Sequence, residues 1–173
     1  VRPIAFPQMT DTGRCLPAFQ KQASHWNAGF GPGVAEIAEE LSVAIVRGTS
    51  ERVGSSIYNS QVLVDAKGDI VAKYRKTHLY AVAPVEEQTC FAPGDEFASF
   101  EIGDLRFGFS ICYDLRFPEM FRKLATEQKV HVFILSSAWP FPRVEHFRLL
   151  APPRAIENPR SVITSNRVVK GDA

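Results

Sequence analysis

Cysteine is scarce in this sequence and occurs only at Cys15, Cys90 and Cys112. An odd number of cysteines, without a close pair or a Cys-x-x-Cys spacing, argues against a disulfide framework and against a zinc site. Free thiols persist in reducing compartments, so we expect a cytoplasmic protein. One of these thiols is then available for chemistry rather than for structure.

An excess of charge and a long apolar run are also lacking. The formal net charge of +1 gives no electrostatic reason to expect nucleic acid or an anionic membrane as a partner. No apolar run approaches the roughly 20 residues of a membrane helix, and the first residues lack the pattern of a secretion signal. The 173 residues, 45% of them hydrophobic and 23% charged, therefore predict one globular domain, residues 1–173.

Strand and helix patterns alternate along the chain, which predicts an α/β fold. Two β-type runs around Asp65-Ala-Lys-Gly-Asp69 predict a hairpin, so we expect a mixed rather than a purely parallel sheet. The run at 43–49 shows little polar alternation, which predicts burial on both faces. We predict strands at 43–49, 57–64, 70–74, 105–112, 130–135 and 161–165, and helices at 33–41, 120–128 and 144–158.

Cys112 ends the clearest strand pattern, in which Leu105, Phe107, Phe109 and Ile111 alternate on one face. The carboxyl end of a strand is where ligands bind in open α/β folds. A helix N-terminus and a basic neighbour nearby would favour the thiolate, which is the nucleophilic form. From the residues alone, a small buried cysteine remains the alternative.

Lys76 and Glu87 are further polar candidates. Lys76 follows a strand, where its ammonium can point at a developing oxyanion beside a backbone N–H such as that of Tyr113. Glu87 can serve as an accessory carboxylate. A solvated surface charge is the alternative for both side chains.

His78 and Asp114 offer a different catalytic arrangement. Together with Cys112 they suggest a Cys–His–Asp triad. Asp114 is too close to Cys112 in the chain to be an obvious third member, and His78 can equally be a capping or core histidine. We therefore rank the triad below the lysine-based site.

Several segments resemble, in order along the chain, the motifs of the nitrilase superfamily of carbon–nitrogen hydrolases, and most of all its amidase or ω-amidase-like branch. The most specific is Gly108-Phe-Ser-Ile-Cys-Tyr-Asp-Leu-Arg-Phe-Pro-Glu119, which is similar to the family's nucleophile motif. Further similar segments are Tyr74-Arg-Lys-Thr-His-Leu79, Glu87-Gln-Thr-Cys-Phe-Ala-Pro-Gly94, Ser137-Ala-Trp-Pro140, Glu145-His146, Arg154-Ala-Ile-Glu-Asn158 and Asn166-Arg-Val168.

The resemblance implies an αββα four-layer sandwich that assembles into a homodimer or a larger homo-oligomer. It implies a Glu–Lys–Cys site without a metal or organic cofactor, in which Cys112 is the nucleophile and Lys76 stabilises the oxyanion. The expected substrate is a small linear amide, cleaved to a carboxylate and ammonia. Tyr113 and Trp139 are candidate pocket walls, with ordinary aromatic packing as the alternative.

The sequence departs from the family pattern at the position of the general-base glutamate. The matching segment, Phe6-Pro-Gln-Met-Thr-Asp-Thr-Gly13, has Gln8 there. A glutamine amide cannot accept the thiol proton, and loss of a positioned general base costs about 10²–10⁴ in rate. Gln8 is an engineered trap, a natural inactive variant or a misassigned residue. A catalytically silent binding protein is therefore the alternative function, and an N-acyltransferase is a weaker third.

Two further departures concern the helix and the length. Pro152 and Pro153 fall inside the predicted helix at 144–158, where we expect them to break it. The family domain has elements before Val1 and after Ala173, so we expect this chain to be part of a longer protein.

Overall fold

The computed structural model describes residues 2–12, 21–25, 31–83 and 85–167. Cys15 and Val168 lie outside this part. None of the helices within it is long and apolar enough to cross a membrane. Its α-helices are α1 (Gly31–Leu41), α2 (Pro118–Thr126) and α3 (Val144–Ile156). Its strands are β1 (Pro3–Ala5), β2 (Ala44–Val53), β3 (Ser56–Val64), β4 (Ile70–Arg75), β5 (Ala81–Val82), β6 (Val85–Glu86), β7 (Ser99–Ile102), β8 (Leu105–Ile111), β9 (Val132–Ser137) and β10 (Ser161–Asn166).

The first sheet has the order β1-β2-β3-β4. β1 pairs with β2 in parallel, and β2, β3 and β4 follow as antiparallel neighbours. The Asp65 carboxylate closes the β3–β4 turn by accepting hydrogen bonds from the backbone N–H groups of Lys67 and Asp69. The predicted hairpin and the mixed sheet are therefore confirmed, as is the burial of β2 over most of its length.

The second sheet has the order β10-β9-β8-β7. β8, β9 and β10 are parallel, whereas β7 is the antiparallel neighbour of β8. The helices α2 and α3 connect β8 to β9 and β9 to β10, as crossover connections between parallel strands require. The sequence patterns thus predicted β8, β9, β10 and the helices between them in their observed order, whereas β7 was not predicted.

The two sheets face each other between layers of helices. Alternate residues of β2 separate the layers: Ile45 packs with Ala38 of α1, while Val46 belongs to the large core between the sheets. In that core Tyr74 of β4 stacks on Phe109 of β8, with ring centroids 6.4 Å apart. With α2 packed on the other face of the second sheet, this is the expected αββα arrangement.

The expected break at Pro152 and Pro153 is wrong, because α3 continues through both residues to Ile156. Both prolines are exposed, so the carbonyl groups that lose an N–H partner can be hydrated. The buried side of the helix is held by Arg154, whose guanidinium donates two hydrogen bonds to the Leu115 carbonyl oxygen, at 3.0 and 2.9 Å. Packing on this side offsets the poor helix propensity of proline.

Candidate active site

The carboxyl ends of β1, β4, β8 and β9 meet at one edge of the sandwich. β4 runs parallel to β1 because two antiparallel steps separate it from β2. Gln8 lies beyond the end of β1, and its Oε1 accepts a hydrogen bond from the N–H of Ala138, just after β9, at 3.3 Å. Its Nε2 donates to Oε1 of Glu87 at 3.2 Å, and Lys76, the residue after β4, places its Nζ 2.6 Å from Oε2 of the same carboxylate. The structure thus brings together Gln8, Lys76 and Glu87.

The backbone around Gln8 is fixed by its contact with β2. A Cβ atom on Gly48 would lie 2.6 Å from the backbone nitrogen of Met9, so only glycine lets this segment approach the strand so closely. The N–H of Thr10 donates to the Gly48 carbonyl oxygen at 3.3 Å. Asp11 accepts a hydrogen bond from the N–H of Ser50 at 2.7 Å. These contacts hold the buried Gln8 side chain in position.

Lys76 is buried, with 1% of its surface exposed, so a solvated basic run is the wrong description of this residue. Its own N–H donates to the Asn59 carbonyl oxygen, and its carbonyl oxygen accepts from the N–H of Gly94, both at 2.8 Å. A Cβ atom on Gly94 would overlap the carbonyl oxygen of Arg75, so this loop also depends on a glycine. A buried ammonium needs a partner of opposite charge, and Glu87 supplies it.

Glu87 is the centre of this cluster, and the reading of it as a surface acid is wrong as well. Its two oxygens accept four hydrogen bonds: from Lys76 Nζ and the Tyr80 N–H on one oxygen, and from Gln8 Nε2 and Asn59 Nδ2 on the other. A carboxylate with four donors is held in one orientation. Glu87 therefore fixes where the Lys76 ammonium points.

Cys112 sits at the sharp turn that follows β8. The strand ends at Ile111, one residue earlier than predicted, because Cys112 has a φ of +46° and begins the 3₁₀ turn Cys112–Arg116. A left-handed backbone is unfavourable for a residue with a side chain, and residues with such strain are enriched at functional sites. Cys112 is partly exposed and its thiol is free. The turn thus presents a strained, accessible cysteine at the end of a buried strand.

Asp114 lies inside this turn and is completely buried. One of its oxygens accepts from the N–H of Ile111 and the hydroxyl of Tyr74, both at 2.8 Å. The other accepts from the N–H of His78 at 3.2 Å and lies 2.8 Å from Nδ1 of the same residue. Burial raises the pKa of Tyr74 well above its usual value, and the charge of Asp114 raises it further, so this hydroxyl stays protonated and donates.

His78 and Asp114 are therefore partners, as the triad hypothesis requires of them. The His78 ring also stacks on Phe117, with centroids 3.8 Å apart and planes 12° from parallel. Nδ1 is engaged by Asp114, and Thr77 Oγ1 lies 3.0 Å from the same nitrogen. His78 therefore connects the loop after β4 to the turn that follows β8.

Aromatic and cationic side chains surround the cysteine turn. Tyr113 is half-buried, and the edge of its ring contacts Tyr80 with centroids 5.0 Å apart. Trp139 packs in the large core, as expected for ordinary aromatic packing and not for a pocket wall. The guanidinium of Arg116 lies over the Trp139 ring, 5.1 Å from its centroid. Arg143 donates a hydrogen bond to the hydroxyl of Tyr80.

Four residues of this site were not predicted from the sequence: Asn59, Tyr80, Arg116 and Arg143. Arg116 stands within the motif of Cys112, and Arg143 follows Trp139 closely, so their position beside recognised residues was the available signal. Tyr80 and Asn59 act through a backbone N–H and a side-chain amide on Glu87, and no residue pattern in the sequence indicates such contacts.

Comparisons with known proteins identify the family of this chain. Residues 2–172 match the family described as Carbon-nitrogen hydrolase. The chain is 32% identical over 164 residues to the 2-oxoglutaramate amidase of Bacillus subtilis (strain 168), which covers 94% of this chain and 62% of that protein. It is 29% identical over 140 residues to the omega-amidase NIT2 of Homo sapiens, which covers 77% of this chain and 50% of that protein.

Solved structures show the same fold. A CN-hydrolase superfamily protein from Xanthomonas campestris, with an arsenic adduct in its active site, has a TM-score of 0.86 and 27% identity, over 97% of this chain and 64% of that one. Saccharomyces cerevisiae Nit3 has a TM-score of 0.84 and 22% identity, over 97% and 63%.

The chain thus spans between half and two thirds of the length of these relatives. The resemblance to the nitrilase superfamily and to its amidase branch is confirmed by the matched family and by relatives with amidase names. This chain belongs to the carbon-nitrogen hydrolase family.

Proposed function

We propose that the protein hydrolyses a small linear amide to a carboxylate and ammonia through a thioester on Cys112. The observation that carries this proposal is the buried Lys76–Glu87 ion pair, with 2.6 Å between Nζ and Oε2, at the edge where the strained Cys112 turn is exposed. Burying an ion pair is costly, so its place beside a reactive residue type favours a role in chemistry.

In the proposed reaction the Cys112 sulfur attacks the amide carbonyl carbon and a C–S bond forms. The negative charge that develops on the carbonyl oxygen is stabilised by the Lys76 ammonium and the Tyr113 N–H. Gln8 stands at the general base position and cannot exchange a proton, so solvent takes up the thiol proton. The C–N bond then breaks, and the nitrogen leaves as ammonia with a proton from solvent. Water attacks the thioester without a general base, releases the carboxylic acid and restores the thiol, so this step is slow in the chain with Gln8.

A carboxylate on the substrate fits the charges around the cysteine turn. Arg116 and Arg143 both lie on aromatic rings there, at 5.1 Å from Trp139 and 5.8 Å from Tyr80. Guanidinium groups bind carboxylates through paired hydrogen bonds. The relatives named 2-oxoglutaramate amidase and omega-amidase support an amide of this kind. We therefore propose the monoamide of a short dicarboxylic acid as the substrate class.

Gln8 supports a second candidate, a catalytically silent binding protein. Gln8 occupies the general base position, and its amide donates to Glu87 instead of accepting a proton. Glu87 itself is engaged by four donors, among them Lys76, and is poorly placed to substitute. A chain with this residue retains the thiol and the oxyanion site, while turnover is slowed by about 10²–10⁴.

The test is intact-protein mass spectrometry with ammonia measured in the same tubes, using glutaramate, succinamate and butyramide. Butyramide is the matched control, because it has a methyl group where succinamate has the carboxylate. We expect an acyl adduct with the two charged amides that a Cys112→Ala variant does not form. Adduct with continuing ammonia release indicates an amidase, and adduct with only one equivalent of ammonia per protein indicates a stalled enzyme. No adduct, together with resistance to iodoacetamide, would leave only the silent binding protein.

We also propose a cytoplasmic homodimer. The free thiols of Cys90 and Cys112 support the location. Leu149 and Ile156 on α3 are 70% and 77% exposed, and exposed apolar side chains of this size favour burial against a second copy. Sedimentation analysis of the protein and of a Leu149→Glu variant tests the assembly. A monomeric parent chain, or a variant that stays dimeric, would contradict this surface as the interface.

A further inference from the structure

The two oxygens of the buried Asp114 carboxylate serve two different parts of the site. Oδ2 accepts from the N–H of Ile111, the residue before the nucleophile, and from the Tyr74 hydroxyl. Oδ1 faces the N–H and the Nδ1 of His78, on the loop that carries Lys76. One side chain thus joins the cysteine turn to the lysine loop.

We infer that Asp114 is a positioning residue that sets the Lys76 ammonium against the Cys112 sulfur, through hydrogen bonds that reach both loops. The inference rests on the proposed function for what the lysine does, but it deepens that function by assigning the alignment of its two reacting groups to one carboxylate. Cys112 and Lys76 are each two residues from a side chain of the Asp114–His78 pair.

The hydrogen bond between Asp114 and the cysteine turn, here called the cysteine arm, holds a backbone conformation that would otherwise relax. A φ of +46° is strained for a residue with a side chain, so surrounding contacts must maintain it at Cys112. The hydrogen bond from Ile111 to Asp114 spans this turn at 2.8 Å and ties the end of β8 to the 3₁₀ turn. Without it, the backbone at Cys112 can return to an ordinary conformation and move the sulfur.

The contacts between Asp114 and the loop that carries Lys76, here called the lysine arm, hold that loop at two adjacent residues, Thr77 and His78. His78 donates its backbone N–H to Asp114, and its ring is clamped between that carboxylate and the Phe117 ring. Thr77 donates its N–H to the Tyr74 hydroxyl at 3.1 Å, and that hydroxyl donates to Asp114. The direction of the chain leaving Lys76 is therefore fixed from the same carboxylate.

Asparagine at position 114 separates the arms. In an Asp114→Asn variant, the amide oxygen can still accept from Ile111 and Tyr74, whereas the amide nitrogen faces the His78 N–H, which is also a donor. The variant therefore loses the His78 anchor of the lysine arm and keeps the Thr77 anchor and the cysteine arm. His78→Ala removes part of the lysine arm, His78→Asn restores a side-chain donor near the place of Nδ1, and Asp114→Ala removes both arms.

Two rates measured on Cys112 distinguish the arms. Alkylation by iodoacetamide forms a C–S bond and releases iodide, with no oxyanion. Acylation by p-nitrophenyl acetate forms the thioester and releases nitrophenolate through an oxyanion, and its good leaving group needs no general acid. The ratio of acylation to alkylation therefore reports the oxyanion site separately from the reactivity of the thiol.

We expect Asp114→Asn and His78→Ala to keep the alkylation rate and to lower the acylation rate by at least about tenfold, since loss of one oxyanion donor costs about 10²–10³. His78→Asn should recover part of the ratio. Asp114→Ala should lower both rates. Glu51→Gln is the matched control, because Glu51 is also a completely buried carboxylate but pairs with Lys73 and Arg75. Its ratio should equal that of the parent chain.

An unchanged ratio in Asp114→Asn, with folding verified by a denaturant melt, would overturn the inference. So would a parallel fall of both rates in Asp114→Asn and Glu51→Gln, since this is the result of general destabilisation. A parent chain that forms no thioester with the ester has no oxyanion site to position, and would also overturn it. If the ratio shifts as expected while no amide reacts, the positioning role stands and the amidase proposal fails.

Discussion

Gln8 donates a hydrogen bond from Nε2 to Oε1 of Glu87 at 3.2 Å, where Glu87 also holds Lys76. A carboxylate at position 8 would instead face a second carboxylate across this distance. Two carboxylates that share a site cannot both ionise freely, and the pKa of one rises. The amide of Gln8 removes this coupling and with it the group that can exchange a proton.

Gln8→Glu is therefore expected to accelerate turnover. The variant gains a carboxylate that can accept a proton beside Glu87, and a positioned general base contributes about 10²–10⁴ in rate. Ammonia release from succinamate measures the effect, with Gln8→Met as the control for a change of shape alone. Equal rates in the parent, Gln8→Glu and Gln8→Met chains would contradict a base function at this position.

Lys76→Met is expected to destabilise the fold as well as to abolish acylation. The substitution leaves Glu87 buried without its cation, and breaking a buried pair in this way costs about 3–5 kcal/mol. Denaturant unfolding at pH 7 measures the loss. In the double variant Lys76→Met/Glu87→Gln part of the stability should return, while the adduct with amides should not. Recovery of both would argue against an electrostatic role of the lysine in the reaction.

Glu51 is expected to make the free energy of unfolding decrease as the pH falls below 4.5. Burial would raise the pKa of this carboxyl, but hydrogen bonds from Arg75, Lys73 and Ser60 outweigh it and hold the pKa at about 2, below the usual 4.5. Because the pKa is lowered in the folded state, the stabilisation is present above pH 4.5 and is lost as the pH falls toward 2. The difference corresponds to roughly 3 kcal/mol.

The measurement for Glu51 is the free energy of unfolding between pH 6 and pH 2, in the parent chain and in Glu51→Gln. The parent curve should fall more steeply with acid in this range. If the two curves run parallel, the ion pairs of Glu51 with Lys73 and Arg75 contribute nothing measurable.

Arg143→Met is expected to weaken the binding of charged amides selectively. A hydrogen bond to a charged group contributes about 1.5–3 kcal/mol, so the concentration of succinamate needed for half-maximal acylation should rise about tenfold or more. Butyramide should be unaffected, since it lacks the carboxylate. A similar change with both amides would mean that Arg143 supports the shape of the pocket through Tyr80 and does not bind the substrate.

Sequence periodicity predicted the framework because most elements are amphipathic or continuously apolar. The runs at 57–64 and 105–112 became β3 and β8 almost within their predicted bounds. The predicted helix break at Pro152 and Pro153 is wrong because it was based on helix propensity, which depends only on the local sequence. The hydrogen bonds from Arg154 to the Leu115 carbonyl oxygen join residues far apart in the chain and cannot be predicted in this way.

The site was predictable as a set of residues but not as an arrangement. Motifs identified Cys112 and Lys76, yet nothing in the chain around Lys76 indicates that it is buried, because its partner Glu87 comes from another loop. Asp114 was set aside for its closeness to Cys112 in sequence. That closeness is what lets its carboxylate reach the N–H of Ile111 while its other oxygen meets His78.

The missing side chain of Gly48 makes the general base position inseparable from the strand beneath it. The Pro7–Met9 backbone lies so close to β2 that a single methyl group would push it away. Segments exchanged between relatives to alter activity must therefore include β1, its following loop and β2 as one block. A transplanted loop set on a strand with alanine at this point would carry the correct base and hold it in the wrong place.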